Sequence, residues 1–219
     1  MEESASFRIL HSFHVDFMAE RQSLLSDYDS ALSAAKKAIQ KNGLVIYPTD
    51  TLYGIGCNAL SEKAVEKVYS AKLRERGKPL SIIVSDFEML MRFCKISGKQ
   101  KGMLHELLPG PYTFILPLKA PMPAAQAMEI GVRVPEHAFM RQVSKELSLP
   151  IVTTSANLSG KPDVAELSSL DPFVAATADA IIDGGRCSYA QGSTVIDLIR
   201  MKVLRKGAVR EGDKIEWAD

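Results

Sequence analysis

The chain contains the run Leu44-Val45-Ile46-Tyr47-Pro48-Thr49-Asp50-Thr51-Leu52-Tyr53-Gly54, in which a short apolar segment passes directly into a hydroxyl-rich turn. The apolar segment is too short for a helix and lacks the alternation of a strand with one face in water, so it predicts a buried central strand. The turn would present several polar side chains at one edge of a sheet, where α/β proteins bind phosphate-bearing ligands.

Helical and strand patterns alternate on both sides of this run and predict one domain. Helices are predicted from residue 26 or 27 to 42, from 61, and over 86–93, 103–108 and 136–147, with further strands over 80–84, 112–116, 130–134, 151–153, 180–183, 194–198 and 203–205. Some strands follow one another directly, so we expect an α/β fold with a twisted, mostly mixed or antiparallel sheet flanked by helices. Gly43 should end the first helix, because glycine accepts the left-handed conformation.

The domain is expected to span residues 26–210. An extension over 1–25 has no assigned role, and either a short strand or a docked arm would suit its segment 13–17. A tail over 211–219 follows the domain.

Composition excludes several classes of protein. Of the 219 residues, 46% are hydrophobic and 24% are charged, as in an ordinary globular protein. The formal net charge is only +1, so an anion site must arise from local clusters of cations. No apolar run approaches the roughly 18 residues of a membrane span. Three widely spaced cysteines suit neither a disulfide framework nor a zinc site, which favours a cytoplasmic protein.

Four cations lie close together after the helix predicted from residue 61: Lys72, Arg74, Arg76 and Lys78. Cations at the end of a helix complement its dipole and stay solvated, which is one interpretation. In the other interpretation, Lys72 and Arg74 point into a cleft and bind phosphates. Arginine would act as a bidentate hydrogen-bond donor and lysine as a point charge. Spacing alone leaves both interpretations open.

Small polar side chains are concentrated at two other places, in Thr153-Thr154-Ser155-Ala156-Asn157-Leu158-Ser159-Gly160 and in Gly192-Ser193-Thr194. Such residues are common in turns for local backbone reasons, so these segments are explained equally well as plain loops. The alternative is that the strand ends face a polar ligand.

Two arginines stand out because they lie in apolar segments. Arg133 in Val132-Arg133-Val134-Pro135 is costly to bury unless it is paired or binds an anion, and Arg205 in Val203-Leu204-Arg205 is a weaker example. Gly54-Ile55-Gly56 is only a fragment of a dinucleotide fingerprint, and no Walker-type loop is present. The four histidines lack metal-ligand spacing, so no metal site is predicted.

Seven segments in order resemble the YrdC-type threonylcarbamoyl-AMP synthase family, in its short, single-domain form. They are Pro48–Gly54, Lys72-x-Arg74, Lys78-Pro79-Leu80, Pro109-Gly110-Pro111-Tyr112-Thr113, Val132–Pro135, Thr154–Gly160 and Ser193–Asp197. The resemblance covers residues 44–207, and its Lys-x-Arg and Ser-x-Asn pairs are typical of the family.

The resemblance implies an enzyme that joins L-threonine, bicarbonate and ATP into threonylcarbamoyl-AMP and pyrophosphate, for the threonylcarbamoyladenosine modification of tRNA. By position, ATP would be bound by Lys72, Arg74, Lys78, Ser155, Asn157 and Arg205, with Lys72 and Arg74 catalytic. Threonine would be bound by Thr51, Arg133, Thr153 and Ser193. Mg²⁺ is expected with ATP, tRNA or a tRNA-modification complex is a further partner compatible with the family, and monomer and homodimer both stay open. We expect Lys72 and Arg74 to be reachable by solvent.

Three positions depart from the family pattern. Ile83 stands where many archaeal members have a threonine-contacting His, Lys78 replaces an Asn, and Asp163 replaces a nucleotide-contacting Ser. Two alternative functions are a YrdC-type carbamoyl transferase and a noncatalytic RNA-binding module.

Overall fold

One sheet of ten strands organises residues 19–125 and 127–215, which the computed structural model describes. Its strands are β1 Glu20–Ser23, β2 Val45–Tyr47, β3 Gly54–Gly56, β4 Ser81–Ile83, β5 Tyr112–Pro117, β6 Glu129–Arg133, β7 Ile151–Ser155, β8 Ala180–Asp183, β9 Thr194–Asp197 and β10 Lys202–Arg205. They lie in the order β1-β8-β2-β3-β7-β4-β6-β5-β9-β10. Four neighbouring pairs are parallel and five are antiparallel, so the predicted mixed sheet is confirmed.

Six α-helices cover the described sheet: α1 Tyr28–Gln40, α2 Glu62–Ala71, α3 Phe87–Phe93, α4 Gly98–Leu107, α5 Ala138–Leu147 and α6 Pro172–Ala176. The helix starts predicted for α1, α2 and α3 agree with their caps, because the Asp27, Ser61 and Asp86 side chains each accept a hydrogen bond from a backbone N–H of the first turn. Residues of α1 and α5 form one hydrophobic core, and residues of α2, α3, α4 and α6 belong to a second.

Alternation along the strands assigns the two cores to opposite faces of the sheet. Ile46, Ile82 and Val152 belong to the core of α2, α3 and α4. Their neighbours Val45, Ile83 and Ile151 belong to the core of α1 and α5. Strand β2 is buried throughout and lies between β8 and β3, so the prediction of a buried central strand is confirmed.

The sequence prediction missed β3. Residues 54–56, read as a fragment of a nucleotide fingerprint, pair with both β2 and β7. A Cβ atom on Gly56 would lie 2.1 Å from the carbonyl oxygen of Val152, so glycine is required here by the close approach of two strands. This pattern was hard to interpret as a strand, because it is only three residues long and two of them are glycines.

The end of α1 corrects another detail. Asn42, with φ 56°, adopts the left-handed conformation that was expected at Gly43. Gly43 is needed for space instead, since a Cβ atom there would lie 2.6 Å from Oδ2 of Asp179. That carboxylate accepts a hydrogen bond from the backbone N–H of Leu44, at the entrance to β2.

Strand β1 lies within the segment predicted as an N-terminal extension and pairs in parallel with β8 at one edge of the sheet. The segment 13–17 and the residues of the predicted tail after 215 lie outside the described residues. In the described ranges, none of the helices combines the length and the apolar character that crossing a bilayer requires.

Candidate active site

A cavity of about 510 Å³ opens on one face of the sheet. Its floor consists of small side chains from neighbouring strands, among them Ser81, Thr113, Gly131 and Thr153. The apolar neighbours of these residues along their strands, namely Ile82, Phe114, Val132 and Val152, enter the core on the opposite face. The small residues therefore leave a hollow where larger ones would fill the space. Its volume is within the range of pockets that bind small molecules.

Arg133 lies in the wall of this cavity and is 8% exposed. Its Nη2 atom donates hydrogen bonds to Oδ1 of Asp50 at 3.2 Å and to Oγ1 of Thr51 at 2.9 Å. The pairing required for a buried arginine is thus supplied by the hydroxyl-rich turn after β2. The Nε atom is also buried and has no hydrogen-bond partner among the described residues. A buried donor without a partner at a cavity wall is suited to a ligand with an acceptor oxygen.

Arg74 lines the same cavity from the loop after α2. Its Nη2 atom donates to the carbonyl oxygen of Pro79 at 2.9 Å, which ties the side chain to the entrance of β4. The Nε atom resembles that of Arg133, being buried and unpartnered within the described part of the chain. Burial lowers the pKa of Arg74. Acceptor oxygens of an anionic ligand would satisfy the open donor and stabilise the charge.

Lys72 contradicts the expectation of a solvent-reachable side chain, because it is 1% exposed and lies behind the cavity wall. Its Nζ atom donates to the carbonyl oxygens of Ser155 and of Asn157, the latter at 2.6 Å, and to Oδ1 of Asn157 at 3.1 Å. Three oxygen acceptors match the three N–H bonds of an ammonium group. Lys72 therefore fixes the segment after β7 in place.

The pKa of Lys72 is lowered to about 8, chiefly by burial and also by the nearby charge of Arg74. Asp163, which lines the cavity, opposes this shift. The ammonium group thus has a positive charge near the cavity at neutral pH and loses part of it in mildly alkaline solution.

Ser155 and Asn157 have different positions in this segment. Ser155 lines the cavity, and its Oγ atom donates to Oδ1 of Asn157 at 2.6 Å. The Asn157 amide nitrogen donates to the carbonyl oxygen of Lys161, so the hydrogen-bonding groups of the Asn157 side chain are used internally. Asn157 supports the wall, whereas Ser155 belongs to its surface.

Ser193 and Arg205 form the opposite wall. The Oγ atoms of Ser193 and Thr113 share a hydrogen bond of 2.7 Å. The Arg205 guanidinium donates to the Ser193 carbonyl oxygen from Nε at 3.2 Å and from Nη2 at 2.9 Å. This contact links β10 to the turn before β9 and holds an exposed cation at the cavity.

Other predicted positions lie at or beyond the margin of the cavity. Lys78 is exposed, pairs with Glu75 at 3.3 Å and is absent from the cavity wall. Ile83 is fully buried in the core that α1 and α5 cover, so it contributes packing there. Asp163 is exposed and lines the cavity.

The structure therefore brings together seven of the predicted site residues in one cavity wall, namely Thr51, Arg74, Arg133, Thr153, Ser155, Ser193 and Arg205. The sequence interpretation missed Asp50, Ser81, Thr113 and Gly131. Asp50 could have been found, because a buried arginine requires an acid and Asp50 stands in the most informative turn. The three small residues gave no signal, since only their alternation within the folded strands shows that they face a hollow.

Metal-binding side chains are sparse in the described ranges. No group of three or more His, Cys, Asp or Glu residues there is arranged to hold a metal ion. Asp163 and Glu129 are the carboxylates in the described cavity wall, and Glu129 is paired with Arg200 at 3.0 Å.

Comparison with known proteins gives a consistent set of relatives. The family model Sua5_yciO_yrdC, described as "Telomere recombination", matches residues 37–207. A Methanocaldococcus jannaschii protein, provisionally named threonylcarbamoyl-AMP synthase, is 41% identical over 182 residues, which are 83% of this chain and 85% of the relative. The human threonylcarbamoyl-AMP synthase is 32% identical over 200 residues, covering 84% of this chain and 70% of the relative.

Among solved structures, P. abyssi Sua5 complexed with L-threonine is similar with a TM-score of 0.76 and 31% identity. The match covers 86% of this chain and 57% of the P. abyssi chain, so this chain spans little more than half of that protein.

Proposed function

Because the chain belongs to the Sua5_yciO_yrdC family, we propose that it is an L-threonylcarbamoyladenylate synthase. This nucleotidyltransferase would form threonylcarbamoyl-AMP and pyrophosphate from L-threonine, bicarbonate and ATP, and its product would serve the threonylcarbamoyladenosine modification of tRNA. The names of the two relatives and the threonine complex of the P. abyssi protein support the proposal.

One observation of the structure supports it most directly. Arg74 and Arg133 come from distant parts of the chain, line one cavity, and each keep a buried Nε–H without a partner in the described ranges. Two arginines with unpaired donors are suited to a reaction between two anionic substrates, because arginine forms strong hydrogen bonds with carboxylates and phosphates. A plain surface loop gives no reason for a buried unsatisfied donor.

The two substrates would share the cavity, and their sets of binding residues would meet where Arg205 contacts Ser193. Thr51, Arg133, Thr153 and Ser193 would hold threonine. Arg74, Ser155 and Arg205 would contact ATP. Lys72 and Asn157 would support the ATP-binding set from behind Ser155, and Lys78 could reach a phosphate only from the exposed loop.

The reaction requires positioning more than a nucleophilic side chain. The threonine amine attacks the bicarbonate carbon, a C–N bond forms, and water leaves to give a carbamate. A carbamate oxygen then attacks the α-phosphorus of ATP, and the bond to the β-phosphate oxygen breaks to release pyrophosphate. The arginines would stabilise the charge that develops on the phosphates, and the walls would shield the short-lived carbamate from water.

The residues of this site are compatible with Mg²⁺ bound to the nucleotide phosphates. Mg²⁺ is usually held by substrate phosphates, waters and one or two carboxylates, so a dedicated cage of side chains is not required. Asp163 could supply one oxygen, because its carboxylate lines the cavity. Bound Mg²⁺ would neutralise phosphate charge, while the arginines orient the substrates.

The proposal is tested by measuring pyrophosphate released from ATP by the purified protein. We expect release only when threonine and bicarbonate are both present. Turnover with serine equal to that with threonine, or no turnover with any amino acid, would contradict the proposal.

A further inference from the structure

Asp50 is buried at 3% exposure beside the cavity, but it is absent from the wall and so cannot contact a ligand there directly. Its Oδ1 atom accepts the hydrogen bond from Nη2 of Arg133, and Oδ2 accepts one from the backbone N–H of Glu136 at 3.1 Å. Its backbone carbonyl accepts from the N–H of Tyr189 at 2.9 Å. Asp50 therefore joins the turn after β2 to the segments before α5 and before β9.

Asp50 and Thr51, the two residues that hold the Arg133 side chain, differ in charge. Asp50 and Thr51 both accept from Nη2, so together they fix the guanidinium, while its buried Nε–H has no partner among the described residues. Only Asp50 also supplies a negative charge. The pair of Arg133 and Asp50 is neutral as a unit, although it still presents an arginine donor to the cavity.

Neutrality matters because a second cation is close. Burial lowers the pKa of Arg133, Asp50 raises it, and the charge of Arg205 lowers it further. Without Asp50, Arg133 and Arg205 would form a doubly positive site, and such a site binds phosphate strongly. Near Arg74 and Lys72, the acid of the described residues that acts on the Lys72 charge is Asp163, which is exposed rather than buried like Asp50.

We propose that Asp50 is a positioning residue that sorts the two anions of the reaction, orienting Arg133 for a carboxylate and cancelling the charge that would attract phosphate. The proposal rests on the proposed function, in which a monoanionic amino-acid carboxylate and a polyanionic nucleotide share one cavity. It assigns specificity to a side chain that touches neither substrate.

The test compares Asp50→Asn with the native protein, using threonine and inorganic phosphate as the probes. Threonine affinity is measured by calorimetry, and inhibition by phosphate is measured against threonine and against ATP. We expect Asp50→Asn to weaken threonine binding about tenfold or more, because one partner of a buried charge pair is lost. Phosphate should become a threonine-competitive inhibitor about tenfold tighter than in the native protein, since a net positive charge is uncovered. The KM for ATP should change less than about threefold.

Two matched variants separate charge from orientation. Thr51→Val removes the other anchor of Arg133 without changing charge, so it should weaken threonine binding and leave phosphate inhibition unchanged. Glu136→Gln removes a neighbouring acid whose carboxylate accepts from the Tyr189 hydroxyl at 3.0 Å, and it should alter neither. If Asp50→Asn does not fold, Asp50→Glu replaces it and should weaken threonine binding without any gain of phosphate inhibition.

Three results would overturn the proposal. The first is that Asp50→Asn binds threonine as tightly as the native protein, and the second is that Asp50→Asn loses threonine affinity and ATP affinity equally. The third is that phosphate inhibition becomes tighter in Glu136→Gln by the same factor as in Asp50→Asn. A native protein that does not bind threonine would refute the proposed function instead. The comparison of phosphate binding between the native protein and Asp50→Asn still tests the role of the Asp50 charge in that case.

Discussion

Arg74 reaches the cavity from a loop and is only partly buried, so its removal should affect chemistry more than folding. We predict that Arg74→Ala lowers pyrophosphate formation about 10²–10³-fold, as expected when a donor to developing charge is lost. The melting temperature should stay close to that of the native protein. Arg76→Ala is the matched control, because that side chain is 77% exposed and pairs with Glu66, and its activity should be native. Unfolding of Arg74→Ala would show that the arginine is structural.

Lys72 should give the site a pH dependence, since its pKa is lowered to about 8 by burial and by Arg74. A neutral amine has two N–H bonds for three oxygen acceptors, so the segment after β7 loses a contact and the site loses charge above this pH. We predict that kcat/KM for ATP falls as the pH rises through about 8. Measurement of this ratio between pH 7 and 10 checks the prediction, and a flat profile would contradict it.

The same group should affect stability in the opposite direction. The folded protein releases the Lys72 proton at about pH 8, whereas the unfolded chain keeps it up to the ordinary value of 10.5. The unfolded state therefore binds more protons within this window, and the contribution of Lys72 to the free energy of unfolding rises with pH. Chemical denaturation of the native protein and of Lys72→Met across the window isolates that contribution. A difference between the two proteins that does not change with pH would refute it.

The residue patterns predicted which side chains line the cavity better than they predicted the contacts behind those side chains. Arg133 in an apolar strand implied a partner or an anion, and the structure supplies Asp50 as the partner while leaving Nε open. Lys72 was predicted to face solvent, because lysine spacing after a helix does not reveal that the segment from Ser155 to Asn157 folds over it. That contact joins positions more than eighty residues apart, so it cannot be predicted from local sequence patterns.

At the scale of elements, the strand β3 depends on glycine for its place between β2 and β7. Gly56→Ala would force a Cβ atom to within 2.1 Å of the Val152 carbonyl oxygen, and backbone must move to relieve it. We predict a loss of about 3 kcal/mol or more in the free energy of unfolding, measured with denaturant. Gly102→Ala in α4 is the control, because a Cβ atom there meets nothing within 4 Å. This exposed helix position should gain up to about 1 kcal/mol. Equal stabilities of the two variants would contradict the argument.

Capping residues helped element prediction only in part: the start of α4 was predicted at residue 103, although the helix begins at Gly98 behind a capping box on Ser97. Asp27, Ser61 and Asp86 marked the starts of α1, α2 and α3 correctly. Element prediction failed for β3 and for α6, which are only three and five residues long. Elements this short are determined by their neighbours in the fold, because their own residues contain too little periodicity. The full order of the strands was likewise beyond prediction, since neighbours such as β1 and β8, β3 and β7, and β5 and β9 are distant in sequence.

At the scale of the whole molecule, β1 protects one end of the sheet. It pairs with β8, and β8 and β2 separate it from β3, the nearest strand in the cavity wall, so its removal should leave catalysis intact. We predict that a chain without residues 1–24 has native KM values but lower stability. It should also self-associate with rising concentration, because β8 becomes an open edge. Light scattering and denaturation measure these effects, and a variant that stays monomeric with native stability would contradict the prediction.

The cavity wall also has a consequence for biosynthesis. Arg74 and Arg133 are translated well before Arg205, and β9 must pair with β5 before Ser193 and Arg205 reach their places. A nascent chain on the ribosome thus lacks one side of the enclosure until almost all of it has emerged. Incomplete polypeptides would therefore lack a complete binding site. They would neither consume nucleotide nor release an unstable adenylate into the cell.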